Sequence, residues 1–337
     1  MDKLEALASI SRLSDNVIRV LGQNPGKFTL QGTNTYIIGK KRPFTLIDAG
    51  EGREEYTPLL ESALRDASAK SDPGEADVSD IVISHWHHDH VGGLPAVLGL
   101  LWRLWDERNV SAPFKPPRLH KISATLAPSS HSQLQSTIES LASGSFTPSP
   151  DGSPFHDLHD AQILPSSGLR VLHTPGHTVD SICLHVPQDN ALYTADMVLG
   201  QGTAVFEDLA AYLASLRTML AFVRAHQVPV LYPGHGPVVA DGAQVIDMYI
   251  NHRLEREAQL LALLRAPPPA ASPAAGDGGS HPWTTWTLVA TLYAAYPESL
   301  WLPAARGVDL HLQKLESEGV VRRLGGEGKD TSWEVVL

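Results

Sequence analysis

The sequence predicts an α/β protein followed by a small helix-and-hairpin unit, and three features predict it. Short β-branched apolar runs alternate with amphipathic segments of helical period. Four of the apolar runs end in metal-ligating residue types, His85, His177, Asp196 and His235, which places four strand ends along one edge of a sheet. A Pro-, Ala- and Gly-rich stretch over residues 266–280 cannot pack a core of its own and sets the tail apart. The predicted division is a main domain over 1–265, a linker over 266–281 and a C-terminal unit over 282–337.

Residues 17–21 and 36–38 read as strands around the turn-rich segment 22–26, and 44–48 as a third strand. The Gly26-Lys27 pair does not complete a phosphate loop. Its spacing from Gly22 is one residue short, and Phe28 stands where a Ser or Thr would hold magnesium. Residues 55–69 carry Leu59, Leu60, Ala63 and Leu64 at helical spacing. The run Ile81-Val82-Ile83 is a buried strand that delivers Ser84-His85-Trp86-His87-His88-Asp89-His90 to the loop at its end. Residues 94–105 form a core helix in which Trp102 and Trp105 pack.

From 113 to 165 the composition turns to Ser, Pro, His and Gly, which predicts an irregular insertion covering one side of the site. His120, His131, His156 and His159 lack ligand spacing and are expected on its surface. Order returns with a strand at 169–172 running into Thr174-Pro175-Gly176-His177-Thr178, then strands at 182–186 and 191–194, the latter ending at Asp196. Leu209, Tyr212, Leu213, Leu216, Leu220 and Val223 keep a 3.6-residue period on a helix whose positive end carries Glu207 and Asp208. A strand at 228–232 leads to Pro233-Gly234-His235-Gly236, and 245–264 is another amphipathic helix. In the tail, helices over 286–296 and 308–317 and a hairpin of 319–324 with 332–336 make a winged-helix-like unit.

Three imidazoles and a carboxylate within six residues are costly to bury without partners, so they read as metal ligands. On an extended segment His85 and His87 point the same way and grip one ion with His177. Asp89, His90 and His235 make a second site, and Asp196 bridges the two through its two oxygens. Imidazole and carboxylate without thiolate select zinc, two ions per chain, over magnesium; manganese and iron are the other candidates. Two such ions sharing a water bring its pKa near neutrality, so the expected chemistry is hydrolysis. Asp89 has a second, catalytic role in orienting the nucleophile and moving its proton to the leaving group. No Gly-x-Ser-x-Gly elbow occurs, and the single cysteine, Cys183, lies in an apolar run and reads as core.

Composition narrows the partners. The 337 residues are 42% hydrophobic and 19% charged with a formal net charge of −11, which disfavours a surface built mainly for nucleic acid. Arg322 and Arg323 form the basic pair of the tail. No run approaches membrane-spanning length, the first residues lack the pattern of a signal or transit peptide, and one cysteine permits no internal disulfide. A reducing, cytoplasmic setting without membrane contact is the expectation.

The motif at 85–90, Gly176-His177-Thr178, Asp196 and Gly234-His235-Gly236 resemble those of the metallo-β-lactamase superfamily. Leu30-Gln31-Gly32-Thr33-Asn34-Thr35-Tyr36, the segment from Gly200 to Asp208, and His252-Arg253-Leu254-Glu255-Arg256-Glu257 look like the lactamase-β-2-like family. The resemblance covers most of the chain apart from 113–165 and 266–280. It implies an αββα metallo-β-lactamase sandwich with a dinuclear zinc site on one edge and a C-terminal winged-helix-like domain. Asp196 sets the chain apart from true zinc β-lactamases, which lack that bridging carboxylate. The resemblance also divides the substrate question. Fungal proteins of the family act as thioesterases releasing aromatic polyketide acids from the acyl carrier protein of a polyketide synthase, a step of secondary metabolism. Animal members resemble endoribonucleases acting on single-stranded RNA. Net acidity and the Asn24-Pro25-Gly26-Lys27-Phe28 spelling favour the thioesterase, with the endoribonuclease as the alternative.

Overall fold

The computed structural model describes residues 4–68, 71–124, 128–268 and 282–336. The first half contains β1 (Ile10–Arg12), β2 (Val17–Leu21), β3 (Asn34–Ile38), β4 (Phe44–Ile47), α1 (Tyr56–Ala67), β5 (Val78–Val82), α2 (His88–Val91), α3 (Leu94–Arg108), β6 (Arg118–Lys121), α4 (Pro128–Glu139) and β7 (Phe155–Asp157). The second contains β8 (Arg170–His173), β9 (Ile182–Val186), β10 (Ala191–Ala195), α5 (Leu209–Ala225), β11 (Val230–Pro233) and α6 (Gly242–Arg265). The tail adds β12 (Trp283–Thr284), α7 (Thr285–Leu292), α8 (Trp301–Ser317), β13 (Val321–Gly325) and β14 (Ser332–Val335).

Period-two alternation decides the layers. In β2, β3, β4 and β5, Ile18, Val20, Ile37, Phe44, Leu46 and Ile81 turn to one face and pack with Leu60 and Leu64 of α1 and Val97 and Leu101 of α3. The intervening Val17, Tyr36, Ile38, Ile47 and Val82 meet Val171, Leu184, Val186 and Tyr193 of the other sheet. That second sheet turns Leu172, Cys183, Leu192 and Leu231 onto α5 and α6. Both sheets are covered on both faces, as their near-continuous apolar strands require, and the result is the αββα sandwich.

The first sheet runs β1 to β7 in order, the second β11-β10-β9-β8. β4, β5, β6 and β7 are mutually parallel, as are β10 and β11, so their C-terminal ends share one edge. In the tail, β12, β14 and β13 form a three-stranded sheet against α7 and α8. α6 is common to both bodies, because Leu260 and Leu264 at its end enter the tail's core beside Trp283, Leu312 and Trp333.

Several expectations need correction. Residues 113–165 are not an irregular insertion: β6 and β7 extend the first sheet, and Leu134 of α4 joins its core. His120 is buried rather than on the surface, with Nε2 at 2.7 Å from Asp80 Oδ1. His156 is half-buried against the Thr147 carbonyl, while His159 is exposed; the side chain of His131 lies outside the described residues. The first tail helix stops at Leu292, and the second begins at Trp301, seven residues before the expected 308. Pro303 falls in its first turn, where the missing N–H has no helical partner to lose. The short strand β1 was not expected. The linker lies outside the described residues from 269 to 281.

A buried ion pair fastens the revised region to the second sheet. Lys121, at the end of β6 and 4% exposed, donates to the fully buried Asp180, which also accepts Thr178 Oγ1 at 2.7 Å. Lys121→Ala should destabilise the fold by about 3–5 kcal/mol by stranding that carboxylate. Denaturant unfolding checks this; a loss below about 1 kcal/mol, the range of exposed pairs, would show that the pair is not buried as described.

Candidate metal centre

Ligand-type residues gather on the edge where the parallel strands end. His85 and His87 follow β5, Asp89 and His90 lie in α2, His177 follows β8, Asp196 follows β10 directly, and His235 lies just beyond β11. His85 Nε2, His87 Nδ1 and His177 Nε2 form a triangle with sides of 3.0, 3.0 and 3.3 Å. On the other side, Asp89 Oδ2 is 3.3 Å from both His90 Nε2 and His235 Nε2. Asp196 stands between the two groups. Its Oδ2 is 3.2 Å from His235 Nε2 and 3.6 Å from His177 Nε2, and its Oδ1 is 3.5 Å from His90 Nε2. All seven residues expected from the sequence come together, four in one group with Asp196 and three in the other. His88, inside the same motif, is exposed and outside both groups.

Hydrogen bonds behind the imidazoles aim their lone pairs. Ser84 donates its single O–H to Asp48 Oδ2 at 2.8 Å, so its oxygen is left to accept His85 Nδ1–H at 3.0 Å. His90 Nδ1–H donates to Asp48 Oδ2 at 2.7 Å, His177 Nδ1–H to the Val205 carbonyl at 2.8 Å, and His235 Nδ1–H to the Gly32 carbonyl at 3.4 Å. Each of these four rings therefore presents Nε2 to the centre, the arrangement by which outer partners fix a ligand's tautomer. Thr33 Oγ1 donates to Asp89 Oδ2 at 2.9 Å and is itself held by Asn24 Nδ2 at 3.0 Å. Backbone room matters too. A Cβ at Gly234 would lie 2.4 Å from Asp196 Oδ1, and one at Gly176, where φ is +134°, would lie 2.3 Å from the Tyr212 backbone.

The sequence reading missed Asp48, Thr33 and Asn24. Asp48 offered one signal, a carboxylate closing a buried apolar strand just as the ligands do, but it has no ligand spacing. It is fully buried in the left-handed region at φ 59°, and it accepts from Ser84 N, Ser84 Oγ, His90 Nδ1 and the Tyr193 hydroxyl.

The two groups differ electrostatically. Burial, reinforced by the neighbouring imidazoles, pushes His85 well below the usual histidine value, and burial with His177 alongside brings His87 down to about 3. Burial acts against charge on His90 and His235 as well, but carboxylates outweigh it. Asp89, Asp48 and Asp196 raise His90 well above its ordinary value, and Asp196 raises His235 to about 9. Burial would raise Asp89 and Asp196; His90 and His235 hold both below the ordinary carboxylate range. His90 Nε2 and Asp196 Oδ1 are buried with no hydrogen-bond partner. Orphaned, convergent polar atoms of this kind fit a divalent cation, which would take the place of the His90 Nε2 proton.

Family comparison agrees with this geometry. The model of the metallo-beta-lactamase superfamily matches residues 28–266. The chain belongs to that superfamily. A second model, the beta-lactamase associated winged helix domain, matches residues 284–333. The bounds of the first match enclose 113–165. The beta-lactamase-like protein 2 homolog of Drosophila melanogaster is 34% identical over 94% of this chain and 93% of its own length. The atrochrysone carboxyl ACP thioesterase of Aspergillus terreus is 35% identical over 78% of this chain and 68% of its own. A crystal structure of a metallo-beta-lactamase family protein from Thermus thermophilus superposes with a TM-score of 0.63 at 21% identity, covering 96% of this chain and 100% of that one, which shows the shared fold. The fold implies a divalent metal, and the superfamily's chemistry is hydrolysis.

Loading the metal-free protein at pH 7 should release protons from His90 and His235, whose raised values keep them charged, and none from His85 or His87. Release should fall as pH rises through about 9, where His235 has already lost its proton. Calorimetry in buffers of different ionisation enthalpy measures this; proton-neutral loading at pH 7 would contradict the assignment.

Proposed function

We propose that the chain is a dinuclear zinc hydrolase acting as a thioesterase, releasing an aromatic polyketide acid from the acyl carrier protein of a polyketide synthase. The observation that carries the hydrolytic part is the convergence of five imidazoles and two carboxylates on one sheet edge, with Asp196 facing both groups. Nitrogen-rich donors without thiolate suit zinc. His85, His87 and His177 would hold one ion, Asp89, His90 and His235 the other, and Asp196 both. The thioester part is supported by the likeness to the fungal thioesterase across most of the chain.

Held there, the ions would supply Lewis-acid charge for a carbonyl and acidify water. The chain's own groups do the rest. The side chains of His85, His90, His177 and His235 are almost fully buried and form the floor, whereas those of Asp89 and Asp196 are 21% and 12% exposed and line the open side. Thr33 anchors Asp89 through Oδ2, which leaves Oδ1 for a proton. With Oδ1 left open in this way, the Asp89 carboxylate can take the proton of the attacking water and return it to the departing sulfur. A thiol of ordinary pKa, about 8.5, departs with little protonation, so the base role dominates.

The tail's arginine pair offers little to a nucleic acid. Arg322 is paired with Glu334, while Arg323 lies near Glu316 and 5.1 Å over the Trp333 ring. Single-strand binding would need unpaired cations, each neutralised phosphate adding about 0.7 to the salt slope.

Turnover of a small acyl thioester should therefore vary little with salt and survive Arg322→Ala with Arg323→Ala. Asp89→Asn, at full metal loading, should lower kcat by roughly 10²–10⁴-fold with KM little changed. Steady-state kinetics checks both. An unchanged kcat would leave Asp89 as a plain ligand. Strongly salt-sensitive cleavage of single-stranded RNA with negligible thioester turnover would overturn the substrate reading.

A further inference from the structure

Residues 200–208 close over His177 without supplying a ligand. The Val205 carbonyl takes the His177 Nδ1–H at 2.8 Å, and the Glu207 N–H returns to the Gly176 carbonyl at 2.8 Å. One hydrogen bond from a surface loop orients a ring only if the loop itself is held. Arg253 of α6 holds it from behind. Its Nη2 donates to the Ala204 carbonyl at 2.7 Å, and its guanidinium lies 4.8 Å over the Phe206 ring, which stacks on Tyr212 at 5.3 Å. The residues on either side of Val205 are thus engaged by a single guanidinium.

Arg253 is 9% exposed, makes no ion pair among the described residues, and has a buried Nε without a hydrogen-bond partner. A buried, unpaired cation costs stability, and cation–π contact offsets only part of that cost. Packing alone therefore gives a poor account of it. One turn along α6, Glu257 receives Lys314 Nζ at 2.9 Å and faces His311 Nδ1 at 3.7 Å, and the His311 ring is 6.2 Å from Phe206. The winged-helix domain backs the same helix and the same loop.

We propose that Arg253 is a positioning residue for His177: by clamping Ala204 and Phe206 it fixes the Val205 carbonyl that aims the His177 lone pair into the metal edge. The proposal rests on the ligand roles given under the proposed function. It makes the C-terminal domain part of the support of the site rather than an appendage.

The test titrates metal-free wild type, Arg253→Met, Arg253→Lys and Arg256→Met with Zn²⁺ against a chromophoric chelator, and with Co²⁺ followed by visible absorption. Arg256 sits over Tyr293, away from the loop. Wild type and Arg256→Met should bind two ions alike. In Arg253→Met one ion should weaken by about 10–100-fold, the usual effect of removing an outer partner of a ligand, while the other is unchanged. Arg253→Lys, which keeps the charge and loses the planar contact, should fall between. Two ions bound by wild type with both affinities unaltered in the Arg253 variants would overturn the proposal, however far the melting temperature dropped. If the Met variant does not fold, the Lys variant decides on the same criterion. Fewer than two ions in wild type would defeat the ligand assignment itself, and this proposal with it.

Discussion

The carboxylate of Asp48 is the interaction on which the site depends. It is fully buried where the two sheets meet, and a buried charge persists only with its lone pairs satisfied. Ser84 and His90 satisfy it from the end of β5 and from α2, and Tyr193 does so from β10 of the opposite sheet. One buried charge thereby sets the register between the sheets, aims the His90 ring, and through Ser84 sets the His85 tautomer. Removing it would cost the fold its seam and the candidate metal edge two aligned imidazoles at once.

The division of labour between the two ligand groups follows from the same placement. His85 and His87, remote from Asp48 or shielded from it by Ser84, are driven toward neutrality by burial. His90 and His235 face Asp89 and Asp196 and hold protons instead. His85 and His87 are thus neutral without an ion, whereas His90 and His235 would have to exchange protons for one. Asp196, facing both, is where the two equilibria are joined.

Part of this was legible in the sequence, because four of the candidate ligands, His85, His177, Asp196 and His235, follow apolar runs whose period declares a strand, and a strand end is where a side chain can reach an edge. β2 to β5, β8 to β11 and the long helices α5 and α6 declare themselves in the same way. What escaped has physical causes. β6 and β7 are short and set among Ser and Pro, so their pairing is decided by the neighbouring strand rather than by their own pattern. His120 looked like a surface residue because its partner, Asp80, lies forty positions away. Asp48 carries no spacing signal, and its role appears only once Tyr193 is brought across from the other sheet. Arg253 and Glu257 lie in the 252–257 segment that carries part of the resemblance, yet their contacts with the 200–208 loop and with α8 are tertiary.

Asp196 is the one protein carboxylate that the proposed pair of metal sites would share, and metal content of wild type against Asp196→Ala tests that claim most directly. Elemental analysis of the purified wild-type protein should find about two ions per chain, chiefly zinc. The variant should lose affinity for both, with hydrolytic turnover falling in step, while its far-UV circular dichroism stays that of the wild type. A variant that retained two tightly held ions and full turnover would contradict the shared-ligand assignment.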